Sequence, residues 1–427
     1  MKKLFLVAFV FLFMLINIAK VSAAESKLDE AEMRLLCSIC SFGAYSGDES
    51  FLMRSMLDAR GWQIEKLYGK TNRAETKGYL ISKDDVKILT ISGTESMKDV
   101  EVDFRVGRVN LDNNKSLGND EETIKENVFV HRGFRDYTDV VLGDGLEERL
   151  RKSLEQNPNE TLYLTGHSLG GSVAILAGIR LVKGGISKDR IKVITFGSAA
   201  VGSKAFAETY GDTIDLTRVV MKGDVIKKSL QALGYVQFGE AIEYKQSRNS
   251  EHFEHSMAAY LDCAIRDYYA AGGTLRIDDA EGRINTPIYV TPFLLIENSL
   301  HKSDEDLIFI ALNDSLTNHF GNLTFAEERA IEIKDKDIFG ADLSKYVKAA
   351  QESKCRYILV RTISAKKIRD ALSGSKNVTF EEIILNADGS LVSMQAAGSS
   401  TENLTIFEAA LEAQARLTDD IANVVSK

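Results

Sequence analysis

The chain reads as an α/β protein: a mostly parallel sheet with helices on both faces, followed by a smaller C-terminal α/β domain. Three observations predict this. β-rich apolar runs alternate with helical stretches from about Lys77 to Tyr269, the pattern of strands joined by crossover helices. At the centre of that alternation, Gly166-His167-Ser168-Leu169-Gly170-Gly171 lies between an apolar strand, Leu162 to Leu164, and an Ala/Gly-rich helix, Leu169 to Leu181. Beyond Ala270-Ala271-Gly272-Gly273 the alternation starts again on a smaller scale, which marks a domain boundary.

Composition bounds the function. The chain has 427 residues, 44% hydrophobic and 27% charged, with a formal charge of −9. An acidic chain of this kind is not expected to bind nucleic acid. Lys2 and Lys3, the apolar run Leu4 to Ile18 and Val21-Ser22-Ala23 read as a secretory signal peptide covering residues 1–23. The apolar run is too short for a comfortable membrane span, so export to the periplasm or the medium is expected. Cys37 and Cys40 are three apart in an apolar helical stretch, and no pair of Cys or His completes a metal site with them. They read as buried small hydrophobes. A disulfide through Cys263 stays open for an exported chain. Neither a metal nor a cofactor is expected.

The elements follow in order. Glu25 to Tyr45 and Phe51 to Tyr68 read as helices, the second carrying Trp62. Lys77 to Ser82 and Lys87 to Ser92 read as paired strands about the polar turn Lys83-Asp84-Asp85. Asp103 to Glu126 is a polar, acidic excursion. Val128 to Phe134 is a short strand and turn, and Asp136 to Leu154 a helix that Asn157-Pro158-Asn159 breaks. After the central helix, Lys192 to Phe196 and Leu216 to Met221 are strands, Gly234 to Tyr244 an extended segment or hairpin, and Met257 to Tyr269 a helix. In the C-terminal domain, Ile288 to Leu295 is a strand and Asp304 to Asn318 a helix. Phe339 to Ser353 is a helix and Arg356 to Ile363 a strand. Val378 to Leu385 and Ser390 to Gln395 form a hairpin over Asn386-Ala387-Asp388-Gly389, and Asn403 to Val424 is a closing helix.

The central glycine-flanked serine is a nucleophile-elbow pattern. Side chains at Gly166 and Gly170 would collide with neighbouring backbone in such a turn, and the serine hydroxyl is pushed out at the carboxyl end of a strand. A serine hydroxyl is a weak nucleophile at neutral pH. It needs a base, and the base needs a carboxylate that fixes its tautomer. In this arrangement the chain order is serine, acid, histidine. His131 precedes Ser168, His167 adjoins it, and His301 and His319 fall in the second domain. His252 and His255 remain, with His255 preferred because it stands just before Ser256-Met257 at a helix start. Asp212, Asp215 and Asp224 are in range for the acid. Asp224 is preferred because it follows a strand at its carboxyl end. Oxyanion donors are expected at the Leu169 N–H, just after the nucleophile, and at Thr94, where a strand ends in Ser92-Gly93-Thr94. His131 is expected to tie the Phe134 turn to that strand, and His167 to pack beside the elbow.

With these residues in place, Gly166-His-Ser168-Leu-Gly170-Gly171, Ser92-Gly-Thr94, Val130-His-Arg-Gly-Phe134, Thr195-Phe-Gly197 and Val201-Gly202 together resemble the class 3 lipases, α/β-hydrolases related to fungal triacylglycerol lipases. The likeness runs from about Lys77 to Tyr260, within an expected hydrolase domain of residues 25–272. It implies lipase or esterase chemistry through an acyl-enzyme, with Ser168, Asp224 and His255 as the triad and Thr94 in the oxyanion hole. The expected substrates are acylglycerol, phospholipid or short-chain esters. The chain departs from the family at Ser198-Ala199-Ala200, where Pro-Arg is usual, and at Val225-Ile226-Lys227, where Pro-Val-Pro often follows the acid. Both departures bear on the shape of the acyl pocket.

The interval that holds the family's lid, Asp99 to Asn127, is mostly charged and amide residues here. Weak interfacial activation and only transient contact with a lipid surface are therefore expected. Residues 273–427 form the expected accessory domain. Pro287 to Gln395, with the closing helix, is similar to small envelope domains of the curli-secretion and Tol-B N-terminal type, on Thr291-Pro-Phe293, Cys355-Arg-Tyr-Ile-Leu359 and Asn386-Ala-Asp-Gly389. That likeness implies an envelope partner. Two other readings stay open: a non-catalytic scaffold that keeps the hydrolase fold, and a peptidase or thioesterase using the same triad.

Overall fold

The computed structural model describes residues 26–45, 51–70, 75–93, 107–111, 128–246, 252–278, 280–296, 300–333, 342–368, 375–402 and 404–426. The signal-peptide reading, Thr94 and most of the Asp99 to Asn127 interval lie outside them. The chain divides into two units, one made of Met1–Ser247 and Phe253–Gly273, the other of Arg248–His252 and Thr274–Lys427.

In the first unit, residues 26–45 form α1, and α2 is Phe51–Met56. Strands β1 (Gln63–Lys70), β2 (Glu75–Lys83) and β3 (Val86–Ile91) follow. Next come the short strands β4 (Arg108–Val109) and β5 (Val130–His131), then α3 (Arg132–Val141) and α4 (Leu146–Gln156). The strand that leads into Ser168 is β6 (Thr161–His167), and α5 (Leu169–Lys183) leaves the turn after it. The remaining elements are β7 (Ile191–Phe196), β8 (Gly202–Ser203), α6 (Lys204–Tyr210), β9 (Asp215–Met221), β10 (Tyr235–Val236), β11 (Glu240–Tyr244) and α7 (Met257–Ala270).

The seven-stranded sheet runs β1-β2-β3-β6-β7-β9-β11. It is antiparallel from β1 to β3 and parallel from β3 onward. This is the α/β-hydrolase arrangement, with β6 in the middle of the sheet. The reason lies in composition. Leu162, Leu164, Ile191, Val193, Phe196 and Val219 are buried, and strands covered on both faces read as continuous apolar runs. Small residues let α5 approach closely: a Cβ on Gly178 would come within 2.9 Å of the Val193 side chain. A second, antiparallel sheet, β10-β8-β5-β4, stands apart from the main one.

Two expectations need correction. The helix expected over Phe51 to Tyr68 ends at Met56, and β1 begins at Gln63. Gly61, at φ 78°, closes the intervening turn, a left-handed conformation that stops a helix. Ile64 and Leu67 mislead because they are three apart, a helical spacing, on an edge strand that is half exposed. The helix expected over Asp136 to Leu154 is two helices. Asp144 and Gly145 take φ 48° and 82° and break it, while the buried series Val140, Leu142, Leu146, Leu150, Leu154 keeps helical spacing across the break. Of the two readings left open for Gly234 to Tyr244, the extended one holds: β10 pairs with β8, and β11 pairs parallel with β9, so no hairpin forms.

The second unit holds β12 (Ile288–Ile296), α8 (Lys302–His319), β13 (Leu323–Phe325), β14 (Ala330–Ile333), α9 (Ser344–Glu352), β15 (Tyr357–Lys367), β16 (Lys376–Asn386), β17 (Leu391–Ser400) and α10 (Ile406–Val425). The short strands β13 and β14 were not anticipated. They share one edge of β12 and pair parallel with it, and β15 pairs parallel on its other side. The β12–β15 register shifts between Val290 and Phe293, where Pro292 has no N–H to give to the ladder. Tyr289, Ile358 and Ile383 pack with Tyr346 of α9. Ile288, Leu359 and Ile384, on the opposite face, pack with Leu316 of α8 and Ile421 of α10. All four cysteines are free and buried. Among the described residues no helix is long and apolar enough to cross a membrane.

Candidate active site

The elbow forms because its glycines are obligatory. A Cβ on Gly166 would come within 2.5 Å of Gly170 C and 2.7 Å of the Ile91 carbonyl oxygen, and one on Gly170 would strike that same oxygen and lie 2.8 Å from Ser92 backbone. The turn drives Ser168 to φ 56°, ψ −123°, a region non-glycine residues rarely occupy, and such strain persists only where the surroundings enforce it. Its N–H donates to the Phe196 carbonyl at 2.9 Å. The hydroxyl therefore stands at the carboxyl end of β6 and at the head of α5. The first N–H groups of a helix have no intrahelical acceptor, and Leu169 contributes one of them beside Ser168.

Three side chains from separate elements converge there. His255, from the turn before α7, places Nε2 2.9 Å from Ser168 Oγ. Its Nδ1 lies 2.8 Å from Asp224 Oδ2, so with Nδ1 donating to the carboxylate, Nε2 is the acceptor facing the hydroxyl. Ser168, Asp224 and His255 are 3%, 3% and 6% exposed, so their contacts are made largely out of water. Asp224 follows β9, as expected, and its Oδ1 accepts from the Ile226 N–H at 2.8 Å. The alternatives lie elsewhere. Asp215 opens β9 at its other end and faces Lys192 at 3.6 Å, and Asp212 lies in the turn before it. His252 belongs to the second unit, with Nε2 3.0 Å from the Leu404 carbonyl oxygen.

Two more residues complete the carboxylate's surroundings: Tyr260, unrecognised in the sequence, and Gly197, named there only as part of a motif. Tyr260, on α7, donates its hydroxyl to Asp224 Oδ2 at 2.6 Å and accepts from the Met221 N–H at 2.9 Å. Burial, then the adjacent Asp224 charge, raises the pKa of that hydroxyl far above the ordinary tyrosine value, so it remains a donor. Gly197, at φ 56°, lies behind the pair: a Cβ there would come within 2.8 Å of Asp224 Oδ2, 2.9 Å of the Tyr260 hydroxyl and 3.2 Å of His255 Cε1. A tyrosine on the buried side of an apolar helix needs a polar partner, and that was the available signal for Tyr260.

The other expected residues are placed as follows. His167 packs beside the elbow, its ring 4.6 Å from that of His255. His131 is buried against Phe134 and Tyr235, at 4.4 and 5.9 Å between ring centroids; the Thr94 end of the strand it was expected to meet lies outside the described residues. Ser198-Ala199-Ala200 is fully buried. Ser172 Oγ donates to the Ala199 carbonyl at 3.1 Å, and Gln237 Nε2 to the Ser198 carbonyl at 3.0 Å. These small residues are thus tied to α5 and to the loop after β10. No group of His, Cys, Asp and Glu among the described residues could hold a metal ion.

Residues 88–232 match the family model for lipase (class 3). This segment is similar to the class 3 lipases. The chain is 42% identical over 76 residues to Lipase ZK262.3 of Caenorhabditis elegans, 17% of this chain and 22% of that protein. It is 26% identical over 197 residues to a lipase of Rhizopus niveus, 45% of this chain and 47% of that protein. A lipase of Rhizomucor miehei is 33% identical over 125 residues, 28% of this chain and 34% of that protein. The chain thus spans half or less of the length of these relatives.

Proposed function

We propose that the first unit is an exported serine hydrolase of carboxylic esters. The observation that carries this reading is the run of contacts from Ser168 Oγ to His255 Nε2 and from His255 Nδ1 to Asp224, at 2.9 and 2.8 Å. In this reading Ser168 attacks the ester carbonyl while His255 takes its proton, and Asp224 stabilises the imidazolium that forms. His255 then returns the proton to the leaving alcohol, and water, activated by the same base, releases the acid from the acyl-enzyme. Leu169 N–H and Thr94 serve as donors to the oxyanion. The class 3 match supports lipid esters as the substrate class, and the charged Asp99 to Asn127 interval supports acceptance of soluble short-chain esters. Residues 273–427 serve as an accessory domain toward an envelope partner, and the leader directs export.

The test is hydrolysis of p-nitrophenyl esters from acetate to palmitate by the mature protein and by Ser168→Ala. Hydrolysis by the first and its loss in the second, by about 10⁴-fold or more, is the expected result. No hydrolysis at any chain length by the folded protein would overturn the reading in favour of a scaffold. Activity only above the aggregation threshold of the ester would overturn the soluble-substrate part.

A further inference from the structure

Tyr45 closes α1, yet its hydroxyl lies 2.7 Å from His167 Nδ1. It also lies against Gly93: a Cβ on that residue would collide with the Tyr45 hydroxyl and come within 2.8 Å of the His167 carbonyl oxygen. The Tyr45 and His167 rings meet edge-on, with centroids 5.7 Å apart at 63°. The His167 ring in turn lies 4.6 Å from the His255 ring at 37° and 5.7 Å from Tyr260. One short path therefore runs from the end of a helix, through the side chain preceding the nucleophile, to the histidine that faces it.

The protonation of this path is constrained. Burial holds the Tyr45 hydroxyl above its ordinary range, so it stays protonated and can donate to His167 Nδ1. A neutral imidazole accepting at Nδ1 carries its proton on Nε2. Burial, and then the neighbouring His255, keep His167 well below the ordinary histidine value of 6.5. A neutral ring is what the position requires: when His255 becomes imidazolium during acyl transfer, a second cation 4.6 Å away would oppose it.

We propose that Tyr45 and His167 act as a positioning pair, in which Tyr45 fixes the His167 ring and that ring fixes the face of His255 relative to Ser168 Oγ. This rests on the hydrolase reading. Neither side chain reaches the reacting atoms in it, and small displacements of a base are costly to rate.

The experiment compares kcat and KM for p-nitrophenyl butyrate, and the ¹H–¹⁵N NMR signal of the His255 Nδ1–H proton, in the whole chain and its variants. Tyr45→Phe keeps the ring and removes the hydroxyl, His167→Gln removes the imidazole, and the double variant combines them. Ser41→Ala is the control. It deletes another buried contact from the same helix to β6, Ser41 Oγ to Thr165 Oγ1 at 3.2 Å, without touching the site. The expected result is a fall in kcat of about 5- to 10-fold for Tyr45→Phe, with KM within about twofold, and a larger fall for His167→Gln that the double variant does not exceed. Ser41→Ala leaves kcat within about twofold. Unchanged kcat in Tyr45→Phe and His167→Gln, multiplicative losses in the double variant, or an equal loss in Ser41→Ala would each overturn the pair. If the unsubstituted chain hydrolyses no ester, the hydrolase reading fails and the NMR signal decides alone. Displacement or broadening in Tyr45→Phe and His167→Gln, with Ser41→Ala unchanged, supports the pair; an undisturbed signal overturns it.

Discussion

At the scale of single residues, the site depends on groups that lie behind the three converging side chains. Gly197 combines a positive φ with no room for a Cβ, its nearest neighbours being Asp224 Oδ2 and the Tyr260 hydroxyl. Gly197→Ala must displace the carboxylate or the strand end, and we predict a loss of about 100-fold or more in kcat/KM for a p-nitrophenyl ester, with far-UV circular dichroism retained. Tyr260→Phe removes one of the hydrogen bonds that hold Asp224 while leaving the packing against Phe196. The expected result is a fall of about 10-fold in kcat with little change in KM, read from steady-state kinetics. The convergence of Ser168, Asp224 and His255 was legible in the sequence because a motif names the serine and chain order prunes the acids and histidines. Tyr45 and Tyr260 were not, because their partners are 122 and 36 positions away, and no local spacing encodes such a convergence.

At the scale of elements, the chain writes its strands and helices by period, and the misreadings occur where period and backbone disagree. The α3–α4 break keeps helical apolar spacing but contains two residues at positive φ, so only the Gly143-Asp144-Gly145 chemistry could have revealed it. The opening of α10 shows local chemistry and burial in tension. Thr405 Oγ1 accepts from the Glu408 N–H at 3.0 Å, a helix-capping arrangement, yet the Glu408 carboxyl is buried. Burial, with Glu412 nearby, raises it from 4.5 to about 8. The folded chain therefore binds this proton more tightly than the unfolded chain does. The associated stability is fully present below about pH 4.5 and is lost as pH rises toward 8. Glu382, opposite Arg361 on β15, is likewise raised by burial, against the lowering effect of the Arg361 charge. We predict that Glu408→Gln raises the thermal midpoint at pH 8 by about 3 °C and changes it little at pH 4.5, measured by calorimetry at the two pH values.

At the scale of the whole molecule, the sequence marked one joint at Ala270 to Gly273, whereas the structure assigns Arg248–His252 to the second unit before the chain returns to the first for Phe253–Gly273. That earlier excursion carries no compositional mark, because it is defined by packing: the His252 ring meets the Leu404 carbonyl, 152 positions away. A chain ending at Gly273 keeps Ser168, Asp224 and His255 but loses Leu404, and so loses the hydrogen bond made three residues before His255. We predict that it hydrolyses p-nitrophenyl butyrate with kcat reduced by about 5-fold or more relative to the whole chain, measured on a folded, monodisperse preparation. Equal kcat in the two would show that the His252–Leu404 hydrogen bond does not set the position of His255. For anyone recombining such modules, the C-terminal unit cannot be exchanged as cargo at one splice point. A graft has to carry two seams, and the earlier of them falls just before His255.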